Sequence, residues 1–252
     1  MTDTILYSRA GHVGRLILNN PEEHNALGNQ QLQALEERLD QVASDSAVRV
    51  LLISGAGERT FCSGASLKEL GGSDITAHAF QRVSAQVATL SVPTICMLNG
   101  SVFGGGVELA VSCDFRIGVE GMRMRVPAAR LGLCYPPDGI QRFIDTLGRR
   151  VTRRILVAAE GFDAQGLKDI GFLDHLALRQ NLESSAGEMA QRIAGLAPLA
   201  VQSMKEVLRQ AAGGIVDTED AERLARKCAG SEDLQEGLAA QREKRTPRFR
   251  GC

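Results

Sequence analysis

Residues 94–118 read TICMLNGSVFGGGVELAVSCDFRIG. The uncharged run Thr94 to Leu98 has the length of a buried strand, and Pro93 stops the element before it. Asn99-Gly100 and Gly104-Gly105-Gly106 are turn signals, a helical stretch runs on through Val111, and Phe115 to Gly118 reads as the next short strand. Strand, glycine turn, helix and strand in this order is the unit of an α/β layered core. Upstream, 4–9 and 13–18 read as short strands with a turn at Ala10 to His12, and NNPEEHNAL (19–27) as a polar loop. Leu32, Leu35, Leu39 and Val42 follow at the spacing of an amphipathic helix, Val48 to Ser54 as a buried strand closed by Gly55-Ala56-Gly57, and 74–90 as a helix. Beyond about residue 145 the pattern turns helical, over 150–160, 182–196, 198–212, 219–228 and 231–245, with Met204, Val207, Leu208 and Ala211 on one apolar face. The expected organisation is an α/β body over 1–195 and a helical region over 196–252.

Composition narrows the function. The 252 residues carry 29 Lys+Arg against 30 Asp+Glu, a net charge of −1, which excludes a general nucleic-acid coat or a polybasic membrane binder. Eight Phe, two Tyr and no Trp are too few for a stacking platform for single strands. A hydrophobic share of 44% with 23% charged residues belongs to a globular chain rather than a disordered one. MTDTILYSRAG has no basic segment leading into an apolar core, and no apolar run approaches the roughly 18–20 residues of a membrane span, so a cytoplasmic location without membrane contact is expected. Six cysteines at 62, 96, 113, 134, 228 and 252 form no CxxC pair, so reduced thiols and no metal site are expected. The last twelve residues, QREKRTPRFRGC, hold five positive charges and one negative. They read either as a solvated tail or as a contact for phosphates or a neighbouring subunit.

Two glycine-containing turns follow the two buried strands: FCSGASLKEL (61–70) and NGSVFGGGVELAVSCDFRI (99–117). Either they are tight strand-to-helix connections only, or they let backbone approach a ligand. In the second case, two facing turns offer two N–H donors to one oxygen, the geometry that stabilises charge developing on a carbonyl. Glu108 lies within the second motif, in the first turn of its helix. The helix dipole and nearby N–H groups are expected to keep it ionised, as a cap or as a general base. Cys62 lies at the first turn with no assignable histidine partner, His12, His24, His78 and His175 are scattered, and Arg149, Arg150, Arg153 and Arg154 read as a solvated helix face. Gly55-Ala56-Gly57 fails as a dinucleotide fingerprint because Thr60 stands at the third glycine position. No Walker lysine and no GxSxG elbow occurs.

Taken in order, LNNPEEHNAL (18–27), FCSGASL (61–67), Asn99 to Ile117, PAARLGLCYPPDGIQRF (127–143), FDAQGLKDIGFLDHL (162–176) and EGLAAQREKRTPRF (236–249) resemble the crotonase, or enoyl-CoA hydratase/isomerase, superfamily over nearly the whole chain. The resemblance implies a ClpP/crotonase-like α/β fold of stacked ββα units with a C-terminal helical trimerisation region, assembled as a homotrimer or a dimer of trimers. It implies an acyl-CoA thioester ligand whose carbonyl oxygen sits between the N–H groups of Ala65 and Gly105, with Glu108 as base or water-orienting group. No cofactor is implied beyond the coenzyme A of the substrate, and no nucleic-acid partner. Substrate and CoA contacts fall on Glu22, His24 and Ala26 in the first loop and on Ser63, Gly64, Ser66, Leu67 and Lys68 in the second. Others fall on Gly104, Pro127, Ala128 and Leu133. A neighbouring subunit's basic tail would reach the CoA phosphates.

The departures bear on the reaction. A hydratase of this family uses two glutamates; one matches Glu108, while the position of the other is Ala128. Ser66 replaces the usual loop aspartate, and Asp138-Gly139 replaces a glycine pair. Asp138 is then either a substitute carboxylate in the pocket or an ordinary turn residue. The expected activity is hydration or double-bond isomerisation of an enoyl-CoA. Isomerisation, decarboxylation or hydrolysis of another CoA ester, and non-catalytic acyl-CoA binding, are the alternatives.

Overall fold

The computed structural model describes residues 3–66, 69 and 74–252, the side chains of 74–77 aside. The elements run β1 (Ile5–Ala10), β2 (Val13–Leu18), α1 (Asn29–Ser44), β3 (Val50–Gly55), β4 (Thr60–Cys62), α2 (Asp74–Thr89), β5 (Thr94–Leu98), β6 (Ser101–Phe103), α3 (Gly105–Val111), β7 (Phe115–Val119) and β8 (Arg123–Arg125). There follow α4 (Pro137–Thr152), β9 (Gly161–Asp163), α5 (Ala164–Asp169), β10 (His175–Ala177), α6 (Arg179–Ala194), α7 (Pro198–Ala212), α8 (Thr218–Ala229) and α9 (Glu232–Glu243). Among the described residues the strands form two sheets, ordered β1-β2-β3-β5-β7-β10 and β4-β6-β8-β9. In the larger sheet β1 runs antiparallel to β2 and every other pairing is parallel.

Every residue of β3 and of β5 is buried, as expected for parallel strands covered on both faces, which is why both read as continuous apolar runs. Each long strand of the centre passes the chain to a three-residue strand of the small sheet and then to a helix: β3-β4-α2, β5-β6-α3, β7-β8-α4. These are stacked ββα units. Helix α1 lays Leu32, Leu35, Leu39 and Val42 into the core, the face its spacing predicts.

Several motif residues act as backbone pins. Buried Asn25 donates from Nδ2 to the Ala56 and Thr60 carbonyls, while its Oδ1 accepts from the Asn20 amide. Asn99 accepts from the Gly55 amide and donates to the Gly57 carbonyl. Asp114 accepts from the Thr94 amide and hydroxyl and from Lys205 Nζ at 2.6 Å, tying β5 and β7 to α7. Buried Arg116 donates to the carbonyls of Ala110, Cys113 and Phe172.

The C-terminal half differs from its sequence reading in holding two short strands, β9 and β10, and in where one helix begins. The expected helix over 150–160 is the end of a longer one: α4 begins at Pro137, bends at Gly148 (φ 69°), and runs through a π-turn at 153–157 before β9. Pro136-Pro137 and two glycines masked that start; Pro137 is in fact at the first helical position, where its missing N–H costs nothing. Arg149, Arg150 and Arg153 are exposed, and Arg154 pairs with Glu160 at 2.7 Å. Helix α6 buries Leu182, Ala186, Ala190 and Ile193, whereas α7 buries only Ser203 and leaves Met204 and Leu208 exposed. The basic tail is folded back on its own chain. Arg245 pairs with Glu236 and Glu243, Asp233 accepts from the Arg250 and Gly251 amides, and Arg49 holds the Phe249 carbonyl at 2.7 Å. No helix among the described residues is long and apolar enough to cross a membrane.

Candidate active site

The two glycine turns meet. Gly64 has φ +93°, and a Cβ built on it would lie 2.6 Å from the Gly105 nitrogen. The first loop is held by Leu27, whose amide donates to the Gly64 carbonyl at 2.9 Å and whose carbonyl accepts from the Ser66 amide at 3.0 Å. The Ser63 amide donates to the His24 carbonyl, also at 3.0 Å. Thus 19–27 and 63–66 form one unit. Gly104, at φ 52° and ψ −126°, enters α3 through a conformation closed to side chains, and its amide donates to the Arg125 carbonyl. Gly105 opens the helix, so its N–H lies outside the intrahelical ladder. Among the described residues neither the Ala65 nor the Gly105 amide donates a hydrogen bond.

Ala65 and Gly105 share a cavity of about 460 Å³ with Glu108. Its walls are Ser63, Phe80, Gln81, Phe103, Gly104, Pro127, Ala128, Leu131, Leu133, Cys134, Tyr135 and Pro136. The surface is apolar apart from the two turns and the Gln81–Glu108 corner. Tyr135 stacks edge-on against Phe143, with centroids 5.7 Å apart.

Glu108 is 2% exposed. Its Oε1 accepts from Arg142 Nη2 at 2.7 Å and from Gln81 Nε2 at 3.0 Å; Oε2 accepts from Gln81 Nε2 at 3.2 Å. Burial pushes its pKa up, and this outweighs the hydrogen bond and charge of Arg142 and the hydrogen bond of Gln81, with Asp138 adding to the rise. The sequence reading expected an ionised carboxylate and did not include this upward push. It counted the helix terminus and could not count desolvation, which penalises a carboxylate lined by Phe80, Phe103 and Tyr135. Tyr135 is itself pushed up, first by burial and then by the Glu108 charge.

Of the residues named from sequence, Ser63, Ala65, Gly104, Gly105, Glu108, Pro127, Ala128 and Leu133 are brought together on this cavity. Gly64 lies beneath the contact of the two turns, and Ser66 is half-buried beyond Ala65. Glu22 and His24 open on a second cavity of about 480 Å³ with Pro21, Gly57, Arg59 and Thr60, where His24 Nδ1 lies 3.1 Å from Thr60 Oγ1. Ala26 is half-buried between the two cavities' loops, its amide donating to the Glu23 carbonyl. Leu67 and Lys68 lie outside the described residues. Asp138 is exposed in the first turn of α4 and is not among the residues lining the cavity; its charge adds to the rise at Glu108. Cys62 is buried and its thiol is pushed up to about 12 by burial, so it is no nucleophile. No group of three or more metal-ligating side chains gathers among the described residues. Sequence reasoning missed Gln81 and Arg142. Arg142 stood inside the segment 127–143 already singled out, while Gln81 is one polar residue on an amphipathic helix and gave no signal.

The chain matches the family model "Enoyl-CoA hydratase/isomerase" over residues 8–252. It is 31% identical over 252 residues to the 2,3-dehydroadipyl-CoA hydratase of Escherichia coli K12, covering 98% of each chain. It superposes on the enoyl-CoA hydratase of Bacillus anthracis with a TM-score of 0.91 at 30% identity, covering 99% of this chain and 100% of that one. The match to an enoyl-CoA hydratase/carnithine racemase from Magnetospirillum magneticum has a TM-score of 0.94 at 25% identity, covering 100% and 97%. With the stacked ββα units and a family match over nearly its full length, the chain belongs to the enoyl-CoA hydratase/isomerase (crotonase) family of enzymes.

Proposed function

We propose that this protein processes an acyl-CoA thioester through an enolate, as a hydratase or isomerase does. One juxtaposition carries the reading: two turn residues whose amides have no partner among the described residues, Ala65 and Gly105, line the same apolar cavity as the buried Glu108 carboxylate. A thioester carbonyl held by those amides gains negative charge as electrons move onto its oxygen, and each prepositioned donor contributes about 2.7–4 kcal/mol. In isomerisation, Glu108 removes a proton from the carbon between the thioester carbonyl and the double bond. The C–H pair flows onto the carbonyl oxygen, and the proton returns at the far carbon as the double bond shifts. In hydration, Glu108 takes a proton from water while the water oxygen bonds to C3. The alkene pair moves onto the carbonyl oxygen, and a proton delivered to C2 restores the thioester.

Hydration works best with two carboxylates, and relatives such as the 2,3-dehydroadipyl-CoA hydratase are hydratases by name. Ala128, which lines the cavity, stands where the resemblance puts the second glutamate, and Asp138 is exposed and outside the lining. That observation favours isomerisation, which one base can complete, as a second reading. The Glu22–His24 cavity, tied to the Ser63 loop, is assigned to coenzyme A. The division at 195/196 belongs to the same proposal: α7 offers exposed Met204 and Leu208 for association of three copies, which sedimentation tests. The function is tested by incubating purified protein with crotonyl-CoA and other CoA esters and following the enoyl-thioester absorbance. Turnover lost in Glu108→Ala supports the enzyme; tight binding without turnover across the panel overturns it in favour of a binding protein.

A further inference from the structure

We propose that Gln81 and Arg142 are positioning residues that clamp Oε1 of Glu108 and leave Oε2 as the oxygen that exchanges the proton; the proton's substrate rests on the function proposed above, the clamp does not. Three helices contribute one side chain each: Gln81 from α2, Glu108 from α3, Arg142 from α4. Arg142 Nη2 donates to Glu108 Oε1 at 2.7 Å and to Gln81 Oε1 at 2.6 Å, and Gln81 Nε2 donates back to both carboxylate oxygens. The ring fixes the Gln81 amide. Flipped, it would set its NH2 against the guanidinium and its oxygen against the carboxylate.

The two oxygens of Glu108 are therefore unequal. Oε1 accepts a short charge-assisted bond and an amide bond; among the described residues Oε2 accepts only the longer amide bond at 3.2 Å. A proton goes to the oxygen whose lone pairs are less engaged, so it goes to Oε2. Gln81 lines the cavity beside Glu108, while Arg142 is not among the lining residues and holds Oε1 from outside it. The arrangement also sets the charge. Aromatic walls and Asp138 favour the neutral acid, and Arg142 is the cation that opposes them. The groups facing Glu108 are Gln81 from α2, Asp138 and Arg142 from α4, and Tyr135 from the segment before α4, whose hydroxyl is raised in turn. Arg142 is 14% exposed at its side chain and its Nε has no partner among the described residues, so it is held there at a cost in lost hydration that its carboxylate contact offsets.

The test needs no substrate. Protein labelled with 13C at the glutamate carboxyls is titrated by NMR, with the Glu108 signal identified by its absence in Glu108→Gln. In Arg142→Gln the midpoint is expected to rise by about 1–3 pH units. Arg142→Lys, which keeps the charge, is expected to recover most of that rise. Gln81→Leu, the second variant should Arg142→Gln not fold, is expected to raise the midpoint less. An unmoved midpoint in a variant with native circular dichroism overturns the clamp. In the crotonyl-CoA assay the acid limb of kcat/KM is expected to follow the same midpoints, with kcat falling more than KM rises. Absence of turnover together with shifted midpoints sinks the proposed function and leaves the clamp standing.

Discussion

Gly64→Ala tests the pairing of the two turns. At φ +93° an L-residue is strained by roughly 1–2 kcal/mol. The added Cβ would also lie 2.6 Å from the Gly105 nitrogen, 3.0 Å from the Phe103 carbonyl oxygen and 3.3 Å from the Gly104 carbonyl carbon. All three are backbone atoms, so none can swing away as a side chain would; the Gly104–Gly105 peptide itself must move. Gly121→Ala is the matched control, since Gly121 has φ +80° but nothing within 4 Å of the new Cβ. In a chain of this size 1 kcal/mol corresponds to about 2–4 °C, so backbone strain alone should lower the Tm of Gly121→Ala by about 2–8 °C and leave kcat unchanged. Gly64→Ala should lose more Tm than that and, because the Gly105 amide is displaced, about 100- to 1,000-fold in kcat, the usual effect of one lost donor. Calorimetry and steady-state rates on crotonyl-CoA read both effects. A Gly64→Ala enzyme with the kcat of Gly121→Ala would refute the claim that these amides act on the substrate.

Ala128→Glu restores a carboxylate to the cavity wall, and hydration of crotonyl-CoA is expected to rise toward the roughly 10²–10⁴-fold that an acid–base group contributes; an unchanged rate would mean that residue 128 does not face the reacting carbons. A thiol reagent should label exposed Cys134 and Cys252 quickly and buried Cys62, Cys96 and Cys113 only on unfolding. A saturating CoA thioester should protect Cys134, which lines the cavity, and not Cys252; equal protection of both would argue against this cavity as the ligand site. Glu236 is held down to about 2, first by its hydrogen bonds to Arg245 and then by the Arg248 amide. A carboxyl lowered on folding contributes stability that is present above its ordinary value of 4.5 and lost as pH falls toward 2, so the tail should detach over that window. The Arg248 amide NMR signal should report the transition, and Glu236→Gln should abolish it; a tail amide that exchanges freely at neutral pH would dispose of the idea.

What the sequence made legible follows from where the physics is local. Fully buried β3 and β5 are apolar runs ended by glycine or asparagine, and α1 carries its buried face in its spacing, so each is readable alone. The small sheet was not. β4, β6, β8 and β9 are three residues each, too short for any period, and they exist because each pairs with a strand brought in by a different ββα unit. The site divides in the same way. Gly64 and Gly104 announce themselves because a turn with positive φ admits no side chain, and Gly105 because a Cβ there would lie 2.6 Å from the Phe80 ring. Gln81 and Arg142 meet Glu108 only in space, 27 and 34 residues away along the chain. For the same reason the sequence could not show that burial raises the Glu108 pKa, since desolvation is a property of the assembled wall and not of the helix that carries the residue.

The place of the site is a consequence of the repeated unit. β4 and β6 pair in parallel, as do β6 and β8. The loops that leave them must therefore emerge side by side at the same end of the small sheet: 63–66 after β4, 104 after β6, and 126–136 after β8. Two of these supply the turn amides and the third supplies the Pro127–Pro136 wall, after which α4 brings Arg142 back onto α3. Ligands of open α/β sheets lie at the carboxyl ends of strands for the same topological reason. The register of β4 on β6 shifts between Thr60 and Cys62, and that irregularity sits immediately before Ser63 and Gly64. Ala65 and Gly105 follow the ends of these two strands by three and two residues, so the registry of β4 on β6 bears on how the two turns meet. A substitution in buried Phe61 or Val102, neither of which touches the cavity, should then act on kcat through the amides before it measurably changes substrate binding.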